Sequence, residues 1–422
     1  MNKYFALREN VILVHGAKRG LIQDLNKNRI FSIDENSKYY LDKILNGCSI
    51  EDALFDMEKE VKVKFENYLE LLINNNLGYY SNERILSGKY KGQKQIYKNL
   101  STVWFELRKA CNLNCCHCYM DCDINSDSNL NILTITEWKS LADQLETFKP
   151  EKIIFIGGEP LLFKDIVELI NYCKLKCSQS ELILYSNLTL LRDEVIECIL
   201  KNNVKVVTSI YSYISEVHDK ITRKKGSFLL TTSNILKLKK LNIYVQANSV
   251  IMDYNYKHIS DIQDYTYKLT GIRGKIDVVR NVGFSKEYLI PKQLRDKISR
   301  GRTKADFEPI NKEKFSRNYS GNSCWQGKIN VTCDGKIGPY IMGNKFINAN
   351  FNVRNHSLNQ IMDKYIVPEL WKISKDYIVE CKVCEYRYIC KDCRPMHADN
   401  NNKYSKGELC TYNPYLGLWE EG

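Results

Sequence analysis

Cys111-Asn112-Leu113-Asn114-Cys115-Cys116-His117-Cys118 is the stretch of sequence from which the fold can be inferred. Cys111, Cys115 and Cys118, which we call the cysteine triplet, have CX3CX2C spacing and follow a predicted β-strand at residues 103–107. Thiolates are soft ligands that hold iron–sulfur clusters. Four cysteines would complete the ligation of a cubane cluster, whereas a triplet leaves one iron open to a small molecule. The alternatives are a zinc knuckle and buried cysteines that merely lie close together.

A glycine-rich turn supports the interpretation of the triplet as ligands of an iron–sulfur cluster. Residues 153–156 are apolar and predict a buried strand, and Gly157-Gly158-Glu159-Pro160 follows directly, before an apolar helical stretch that begins near Leu161. Glycines at the end of a strand let the backbone approach a ligand closely. Because many loops contain two glycines, the turn is informative mainly through its position after the triplet.

Together, the triplet and the GGEP turn resemble those of the radical S-adenosylmethionine (SAM) enzymes. The resemblance implies that the triplet holds a [4Fe–4S] cluster whose open iron chelates the methionine part of SAM. Electron transfer then splits SAM into methionine and a 5′-deoxyadenosyl radical. The turn would bind the amino group of SAM through Gly157, Gly158 and Glu159, with the Glu159 carboxylate facing the ammonium.

The same resemblance implies further contacts with SAM. Asn187-Leu188 stands where relatives have Asn-Gly, so Asn187 is an expected ligand and Leu188 replaces the glycine. Ser209 would reach the ribose or the carboxylate of SAM, and Arg223 would pair with the carboxylate. An Arg-x-x-Gly segment at residues 280–283 matches the segment after the sixth strand of relatives. Each of these residues could equally be a structural cap or a surface charge.

Composition limits the class of protein. With 422 residues, of which 44% are hydrophobic, the chain is long enough for about two or three domains. Sixteen cysteines, with neither a signal peptide nor a long apolar span, predict metal ligation in a reducing cytoplasm and no membrane partner. A net charge of +12 suits an acidic partner, either nucleic acid or an acidic peptide.

Alternating strands and helices follow the triplet. Six such units predict a parallel sheet. The radical SAM resemblance implies a partial (β/α)6 TIM barrel over residues 91–300, with its site at the carboxyl ends of the strands. The predicted strands lie at residues 103–107, 153–156, 182–185, 204–210, 243–249 and 275–279, and the predicted helices at 135–147, 163–175, 191–202, 228–240 and 257–268.

Residues 1–90 predict a separate small domain. Strands at residues 11–14, 20–25 and 29–32 are followed by three helices that begin near Glu35, Ser49 and Val63. This order resembles the winged-helix domain with which many peptide maturases bind a leader peptide, by strand addition to a sheet edge. A DNA-binding winged helix is the alternative. Fusion to a radical SAM core favours the peptide.

The last part of the chain, residues 301–422, carries a second set of cysteines. The run Cys381-X2-Cys384-X5-Cys390-X2-Cys393 is followed by Cys410. Two CX2C pairs could bind zinc. After a radical SAM core they resemble the SPASM domain, which holds auxiliary [4Fe–4S] clusters. The resemblance implies an outer cluster on four of these cysteines, namely Cys381, Cys384, Cys390 and Cys410.

An inner auxiliary cluster is less complete. It would take Cys393 and the upstream Cys324, but Tyr340 stands where relatives have a further cysteine. Three arrangements are open: Cys333 substitutes as a ligand, the cluster has an open iron, or the cluster is absent. The resemblance therefore implies one or two auxiliary clusters. An open iron could bind a substrate thiolate and would favour thioether chemistry.

The sequence thus predicts an α/β radical SAM/SPASM maturase, closest to the grasp-with-SPASM subgroup, that modifies a ribosomally made precursor peptide. A thioether or carbon–carbon crosslink is the expected product. The expected partners are the precursor peptide, an electron donor such as flavodoxin or ferredoxin, and an ATP-grasp ligase, with no nucleic acid. A sulfatase-type formylglycine maturase and a non-catalytic iron–sulfur scaffold for a partner ligase are the alternative functions.

Overall fold

The computed structural model describes residues 3–94, 99–279, 287–292, 307–342, 346–390, 394, 402, 404–407 and 410–419. The chain divides into two compact units. The first unit contains residues 1–96, 298–324 and 372–422, and the second contains residues 97–297 and 325–371. The predicted limits at residues 90 and 300 lie close to two of these boundaries. The predicted third domain at residues 301–422 is instead shared between the two units.

The strands, in chain order, are β1 Tyr4–Leu7, β2 Val11–His15, β3 Gly20–Asp24, β4 Arg29–Ile33, β5 Gly78–Ser81, β6 Thr102–Glu106, β7 Lys152–Ile156, β8 Glu181–Tyr185, β9 Lys205–Ser209, β10 Val245–Ile251, β11 Ile276–Val278, β12 Lys328–Val331, β13 Ile337–Gly338, β14 Tyr412–Asn413 and β15 Leu418–Trp419. The helices are α1 Glu35–Leu45, α2 Ile50–Ala53, α3 Lys59–Asn74, α4 Ile135–Phe148, α5 Ile166–Lys176, α6 Asp193–Asn202, α7 Ser215–Thr222, α8 Ser227–Lys240, α9 Ile259–Thr270, α10 Lys312–Ser320 and α11 Leu358–Ile361. Short 3-10 turns lie at Pro160–Leu162, Tyr256–His258, Glu287–Leu289 and Lys375–Tyr377, and a π-helical segment at Met362–Trp371.

The second unit is built on one eight-stranded sheet, in the order β11-β10-β9-β8-β7-β6-β12-β13. The strands from β6 to β11 are parallel to their neighbours, and β12 joins β6 in parallel before turning back into β13. The prediction of an α/β fold with a mostly parallel sheet is therefore confirmed. Because β12 is the second neighbour of β6, β6 does not pair with β11 to close a barrel.

Side chains of β6 show how the sheet is covered. All five residues of β6 are buried, as expected for a parallel strand with both faces covered. Trp104 packs with Ile154, Ile183 and other apolar side chains on the inner face. Phe105 points the other way, where its ring lies 4.8 Å from that of Trp138 in α4. The two faces thus follow the two-residue period of a strand.

Helix α4 illustrates why these segments are helical. Thr134 caps it in a capping box with Glu137, which satisfies backbone N–H groups of the first turn. The buried residues of α4 recur at three- and four-residue intervals and form one apolar face, namely Trp138, Leu141, Ala142 and Leu145. The helix ends at Lys149 in the left-handed conformation, with φ of 48°.

The first unit contains two small sheets near the N-terminus. Strands β2, β3 and β4 form an antiparallel sheet with the hairpin order β2-β3-β4, and β1 pairs with β5. The predicted strands and the three helices of this segment are present, whereas β1 and β5 were not predicted. One face of the three-stranded sheet packs with α1 and α3 through residues such as Leu13, Ile22 and Leu69.

The other face of this sheet has a different partner. Ile12, Val14 and Leu21 pack in one apolar cluster with the C-terminal side chains Tyr386 and Tyr412, among others. The predicted domain at residues 1–90 thus shares an apolar cluster with C-terminal residues of the first unit. Both faces of the sheet are apolar, and the C-terminal segment covers the second one.

No helix in the described part of the chain is both long enough and apolar enough to cross a membrane.

Candidate active site

The carboxyl ends of the parallel strands surround a cavity of about 240 Å³. It begins where β6, β7, β8 and β9 end, as expected for ligand sites in parallel α/β sheets. The structure brings most of the predicted SAM-site residues together in its wall, namely Cys111, Cys115, Cys118, Gly157, Gly158, Asn187 and Ser209. Their roles as ligands are a prediction that the placement makes physically reasonable.

Backbone hydrogen bonds hold the cysteine loop. The N–H of Cys111 donates to the carbonyl of Asp123 at 2.9 Å, and the N–H of Cys116 donates to the carbonyl of Ile221 in α7 at 3.0 Å. The carboxylate of Asp127 accepts from the N–H of Lys109 at 2.8 Å just before the triplet. These contacts fix the loop without using the thiols of the triplet.

The thiols of the triplet lie in an apolar cluster with Leu113 and Met120. Burial raises the pKa of the Cys111 thiol to about 12. Burial likewise raises the pKa of the Cys115 thiol well above its ordinary value. Without iron the thiols of Cys111 and Cys115 therefore favour their protonated forms at neutral pH, whereas a hydrogen bond with Cys122 lowers the pKa of Cys118 to about 6. Iron binding has to displace the protons that remain.

The two glycines of the GGEP turn are required by the cysteine loop itself. Gly157 has φ of +149°, and a Cβ atom there would lie 2.2 Å from the carbonyl oxygen of Arg108. A Cβ atom on Gly158 would lie 2.3 Å from the carbonyl oxygen of Ala110. The N–H of Gly158 donates to the Arg108 carbonyl at 2.7 Å. Any side chain here would push the turn away from the triplet.

Glu159 lies elsewhere than expected. It is fully buried and is not part of the cavity wall. Its carboxylate accepts hydrogen bonds from Ser186 Oγ at 2.7 Å, the N–H of Leu161 at 3.0 Å and the N–H of Asn187 at 2.8 Å. Burial raises its pKa to about 7. In this geometry Glu159 positions two loops, and the main chain of Gly157 and Gly158 is what faces the cavity.

Asn187 and Leu188 occupy the loop after β8. The side-chain amide of Asn187 donates to Asn112 Oδ1 at 3.0 Å and lies 3.9 Å from the sulfur of Cys111. Leu188 adopts φ of 63°, a left-handed conformation that favours glycine. Leu188 therefore adopts, at a steric cost, a backbone conformation that glycine adopts freely.

Arg223 does not lie in the cavity wall among the described residues. It caps the C-terminus of α7 in the left-handed conformation, with φ of 56°. The structural interpretation of Arg223 therefore fits the geometry better than the predicted ion pair with SAM. The Arg-x-x-Gly segment at residues 280–283 lies outside the described residues.

The cavity also contains residues that sequence reasoning did not assign. Cys122, His117, Tyr211 and His218 all line it. The N–H of Tyr211 donates to His218 Nδ1 at 3.3 Å, and their rings stack with centroids 5.4 Å apart. Burial lowers the pKa of His218 to about 4, so its ring is neutral. The His218-Asp219 pair in the sequence was the available signal.

A second cavity unites the predicted outer-cluster cysteines. Cys381, Cys384, Cys390 and Cys410 line a small space of about 30 Å³ in the first unit, beside Tyr412 and other aromatic side chains. No three His, Cys, Asp or Glu side chains of the described residues surround a single metal-ion position. A cubane cluster holds its thiolates farther apart than a single metal ion does. Four cysteines that line one cavity are therefore the arrangement expected for a cluster.

The predicted inner-cluster cysteines are distributed over the chain. Cys393 lies outside the described residues, Cys324 belongs to the first unit and Cys333 belongs to the second. Cys333 is buried, and burial raises the pKa of its thiol to about 12. Tyr340 packs edge-on against Trp104 with centroids 5.1 Å apart. Its ring is thus part of the apolar inner face of the sheet.

Comparison with known proteins identifies the segment that forms the first cavity. Residues 106–266 match the Radical SAM superfamily. This segment is a radical SAM domain. It contains the triplet, the GGEP turn, Asn187 and Ser209, and the chain that carries it is a radical SAM enzyme.

Relatives of this chain include a bacteriocin biosynthesis protein and a heme synthase. The chain is 24% identical over 323 residues to the antilisterial bacteriocin subtilosin biosynthesis protein AlbA of Bacillus subtilis, covering 73% of this chain and 70% of AlbA. It is 24% identical over 343 residues to an AdoMet-dependent heme synthase of Methanosarcina barkeri, covering 74% of this chain and 96% of that protein.

Two solved structures share the fold. Streptococcus suis SuiB, also solved with S-adenosylmethionine and with the precursor peptide SuiA, matches 96% of this chain and 100% of its own, with 15% identity and a TM-score of 0.57. Native anSMEcpe with bound AdoMet matches 75% of this chain and 94% of its own, with 18% identity and a TM-score of 0.53.

The cavity of the radical SAM domain fits its cofactors. Soft thiols converge from one loop in an apolar setting that suits an iron–sulfur cluster. The exposed backbone of the GGEP turn and the polar side chains of Asn187 and Ser209 lie in the same wall, where a zwitterionic ligand needs donors and acceptors. A zinc knuckle would leave this second set of groups without a role.

Proposed function

We propose that this radical SAM enzyme modifies a ribosomally synthesised precursor peptide, closing a thioether or carbon–carbon crosslink. The observation that carries the proposal is the cavity that unites the triplet with the GGEP turn, Asn187 and Ser209. When bound, the [4Fe–4S] cluster and SAM supply the 5′-deoxyadenosyl radical. The chain's own contribution is a rigid loop system that holds SAM close to the triplet and excludes water.

A peptide substrate is favoured by the relatives and by the extent of the match. AlbA is a bacteriocin biosynthesis protein, and SuiB has been solved with a precursor peptide. SuiB matches 96% of this chain, whereas anSMEcpe matches 75%. The larger coverage is what a domain shared with SuiB would produce, and it favours a peptide maturase.

The N-terminal sheet offers a site for the leader peptide. Among the described strands, β4 pairs only with β3, so its outer edge is available. On the opposite edge, the N–H of Leu13 in β2 donates to the carbonyl of Gly88 at 2.8 Å. Ala17, just beyond β2, likewise donates to the carbonyl of Val383 at 2.7 Å. We therefore place the leader on β4, by strand addition.

The cavity of the outer cysteines is proposed to hold an auxiliary [4Fe–4S] cluster. Its four thiols, with the aromatic wall around them, suit such a cluster better than a hydrated ion. A flavodoxin or ferredoxin as electron donor, and an ATP-grasp ligase that acts on the same peptide, complete the proposed system. A non-catalytic scaffold would have no use for the triplet or for the cavity beside it.

Co-expression tests the proposal. The enzyme is produced with the short peptide encoded next to its gene, and the peptide is analysed by tandem mass spectrometry. We expect a loss of two hydrogen atoms and fragments that locate a crosslink. Conversion of a cysteine or serine to formylglycine would favour the sulfatase-type alternative. An unmodified peptide, together with SAM cleavage in the presence of a porphyrin, would favour the chemistry of the heme-synthase relatives.

A further inference from the structure

A fourth cysteine, Cys122, lies in the cavity of the cysteine triplet. It lines the same cavity as Cys111, Cys115 and Cys118, and all four cysteines belong to one apolar cluster. The side chain of Cys122 is 2% exposed. It comes four positions after Cys118, outside the CX3CX2C motif, so the spacing of the motif assigns it no role. The fold is what places a fourth thiol beside the other three.

The path of the backbone explains how Cys122 returns to the triplet. Asp121 is exposed and adopts φ of 52°, a left-handed conformation that aspartate tolerates better than most residues. Its two neighbours, Met120 and Cys122, are both buried. The carbonyl of the following residue, Asp123, accepts the N–H of Cys111 at 2.9 Å. The start and the end of the cysteine loop are therefore joined by main-chain atoms, with Cys122 directly before the junction.

Inside the cavity, Cys122 contacts a sulfur of the triplet. Its thiol donates a hydrogen bond to the sulfur of Cys118. Cys116 is also buried in this loop, but its sulfur lies 3.9 Å from that of Met252. The structure describes the whole loop, and of its two cysteines outside the triplet Cys122 alone lines the cavity.

The arrangement of thiols matches the ligand number of a cubane cluster. A [4Fe–4S] cluster bound by protein alone takes four thiolates, and the triplet supplies three of them. Thiolates are also the ligands that such iron prefers over hydroxyl or carboxylate groups. When Cys118 binds iron, its sulfur shares its charge with the metal and accepts the hydrogen bond from Cys122 less well. The Cys122 sulfur is then a soft donor without a strong partner, in the same cavity as the open iron.

We propose that Cys122 is an exchangeable fourth ligand of the radical SAM cluster, bound to the open iron when SAM is absent and released when SAM binds. On binding iron, the Cys122 thiol gives its proton to solvent and forms an Fe–S bond. On release, that bond breaks, the amino and carboxylate groups of SAM take its place, and the Cys122 sulfur regains a proton. No electron is transferred in either direction. The cluster is thus fully ligated at rest, and its reactive iron is open only to a ligand that displaces a thiolate.

Mössbauer spectroscopy of the full-length protein, reconstituted with isotopically enriched iron, tests the exchange. The spectrum without SAM is subtracted from the spectrum with SAM, so auxiliary clusters, whose ligands do not change, cancel. We expect the native protein to lose a signal of thiolate-bound iron and to gain one of iron bound by nitrogen and oxygen. A native difference spectrum without any loss of thiolate-bound iron would overturn the proposal, and this measurement needs no variant.

Variants of Cys122 separate ligation from hydrogen bonding. Cys122→Ala leaves the iron open, so the loss of thiolate-bound iron should disappear from its difference spectrum. It should also bind SAM at least ~5-fold more tightly in calorimetry, because apparent affinity rises with the fraction of clusters that are open. Cys122→Ser keeps a hydroxyl that can donate to Cys118 but is a hard ligand, and it should behave like Cys122→Ala. Cys116→Ala is the matched control and should behave as the native protein does.

Two results with these variants would contradict the proposal. Native-like spectra and SAM affinity in Cys122→Ala would show that the thiol does not bind iron. Native-like behaviour of Cys122→Ser alone would assign Cys122 to hydrogen bonding with Cys118. None of these measurements uses a peptide, so a failure of the enzyme to crosslink a precursor would overturn the proposed function and leave the assignment of Cys122 standing.

Discussion

The backbone N–H of Asn187 donates a hydrogen bond of 2.8 Å to the carboxylate of Glu159, which joins the loop after β8 to the GGEP turn after β7. The side chain of Asn187 continues the connection by donating to Asn112 Oδ1 at 3.0 Å, inside the cysteine loop. Two of the three loops that carry predicted SAM contacts are therefore joined by one buried carboxylate, and the side chain of Asn187 joins the third. SAM binding should depend on this carboxylate even though it does not line the cavity.

Glu159→Gln tests this dependence. The amide NH2 of glutamine would face N–H or O–H donors that the carboxylate now satisfies, and a buried unsatisfied donor costs about 1–3 kcal/mol. We expect SAM affinity to fall by roughly tenfold, as about 1.4 kcal/mol of lost positioning would produce. Calorimetry with SAM measures the effect. Glu168→Gln, at the surface pair with Lys139, is the matched control and should bind as the native protein does.

The cysteine triplet should be required for SAM cleavage but not for auxiliary iron. Replacing Cys111, Cys115 and Cys118 with alanine removes all three triplet thiolates of the proposed open-site cluster. We expect no 5′-deoxyadenosine under reducing conditions, while iron bound by the C-terminal cysteines remains. Cys48→Ala, at a half-buried cysteine of the first unit, is the control. Continued 5′-deoxyadenosine formation by the triple variant would contradict the central assignment.

The leader peptide should bind the full chain better than it binds residues 1–90 alone. The isolated segment would expose Ile12, Val14 and Leu21, which pack against the C-terminal segment in the intact first unit. We expect the full chain to bind the leader in calorimetry and to show no preference for DNA. The fragment should unfold at a lower temperature and bind the leader more weakly. Equal stability and affinity of the fragment would mean that the C-terminal cover is dispensable.

Cys333 should be a ligand of an auxiliary cluster, as its predicted substitution for the missing inner-cluster cysteine implies. Tyr340 cannot replace a thiolate well, since a phenol has a pKa near ~10 and is a hard ligand. We expect Cys333→Ala to lower the iron content and to reduce crosslinking. Cys116→Ala, a cysteine outside the predicted ligand sets, provides the comparison. Full iron content and activity in Cys333→Ala would remove Cys333 as a ligand and weaken the argument for thioether chemistry.

Stability should depend on pH through Glu106. Burial raises the pKa of this carboxyl from an ordinary 4.5 to about 7, so the folded protein binds its proton more tightly than the unfolded chain does. Its contribution is therefore fully present below the unfolded pKa and is lost as pH rises towards the folded pKa. Between about pH 5 and about pH 8, the native protein should lose up to roughly 3 kcal/mol relative to Glu106→Gln. Urea unfolding of both proteins across this range measures the difference, and parallel curves would contradict the buried-carboxyl interpretation.

Local sequence determined the secondary structure of the second unit closely. The predicted strand at residues 153–156 is β7, and the predicted helix at residues 135–147 is α4 with one more residue. Both elements are specified by short-range features, namely a run of apolar β-formers and a capped amphipathic pattern. The cysteine triplet and the GGEP turn were likewise readable, because each motif is contiguous in the chain.

Only the tertiary structure decided the roles of Glu159 and Arg223 and the cover of the N-terminal sheet. The position of the Glu159 carboxylate depends on hydrogen-bond donors in the loop after β8. The position of Arg223 depends on the direction in which α7 ends. The partner of Ile12 and Val14 lies in a segment that is distant in sequence, which no local pattern specifies. Sequence by itself determined which residue types could perform the chemistry, because ligand type and spacing are local properties. Which of them face the cavity was decided by packing between distant segments, since burial and hydrogen-bond partners exist only in the folded chain.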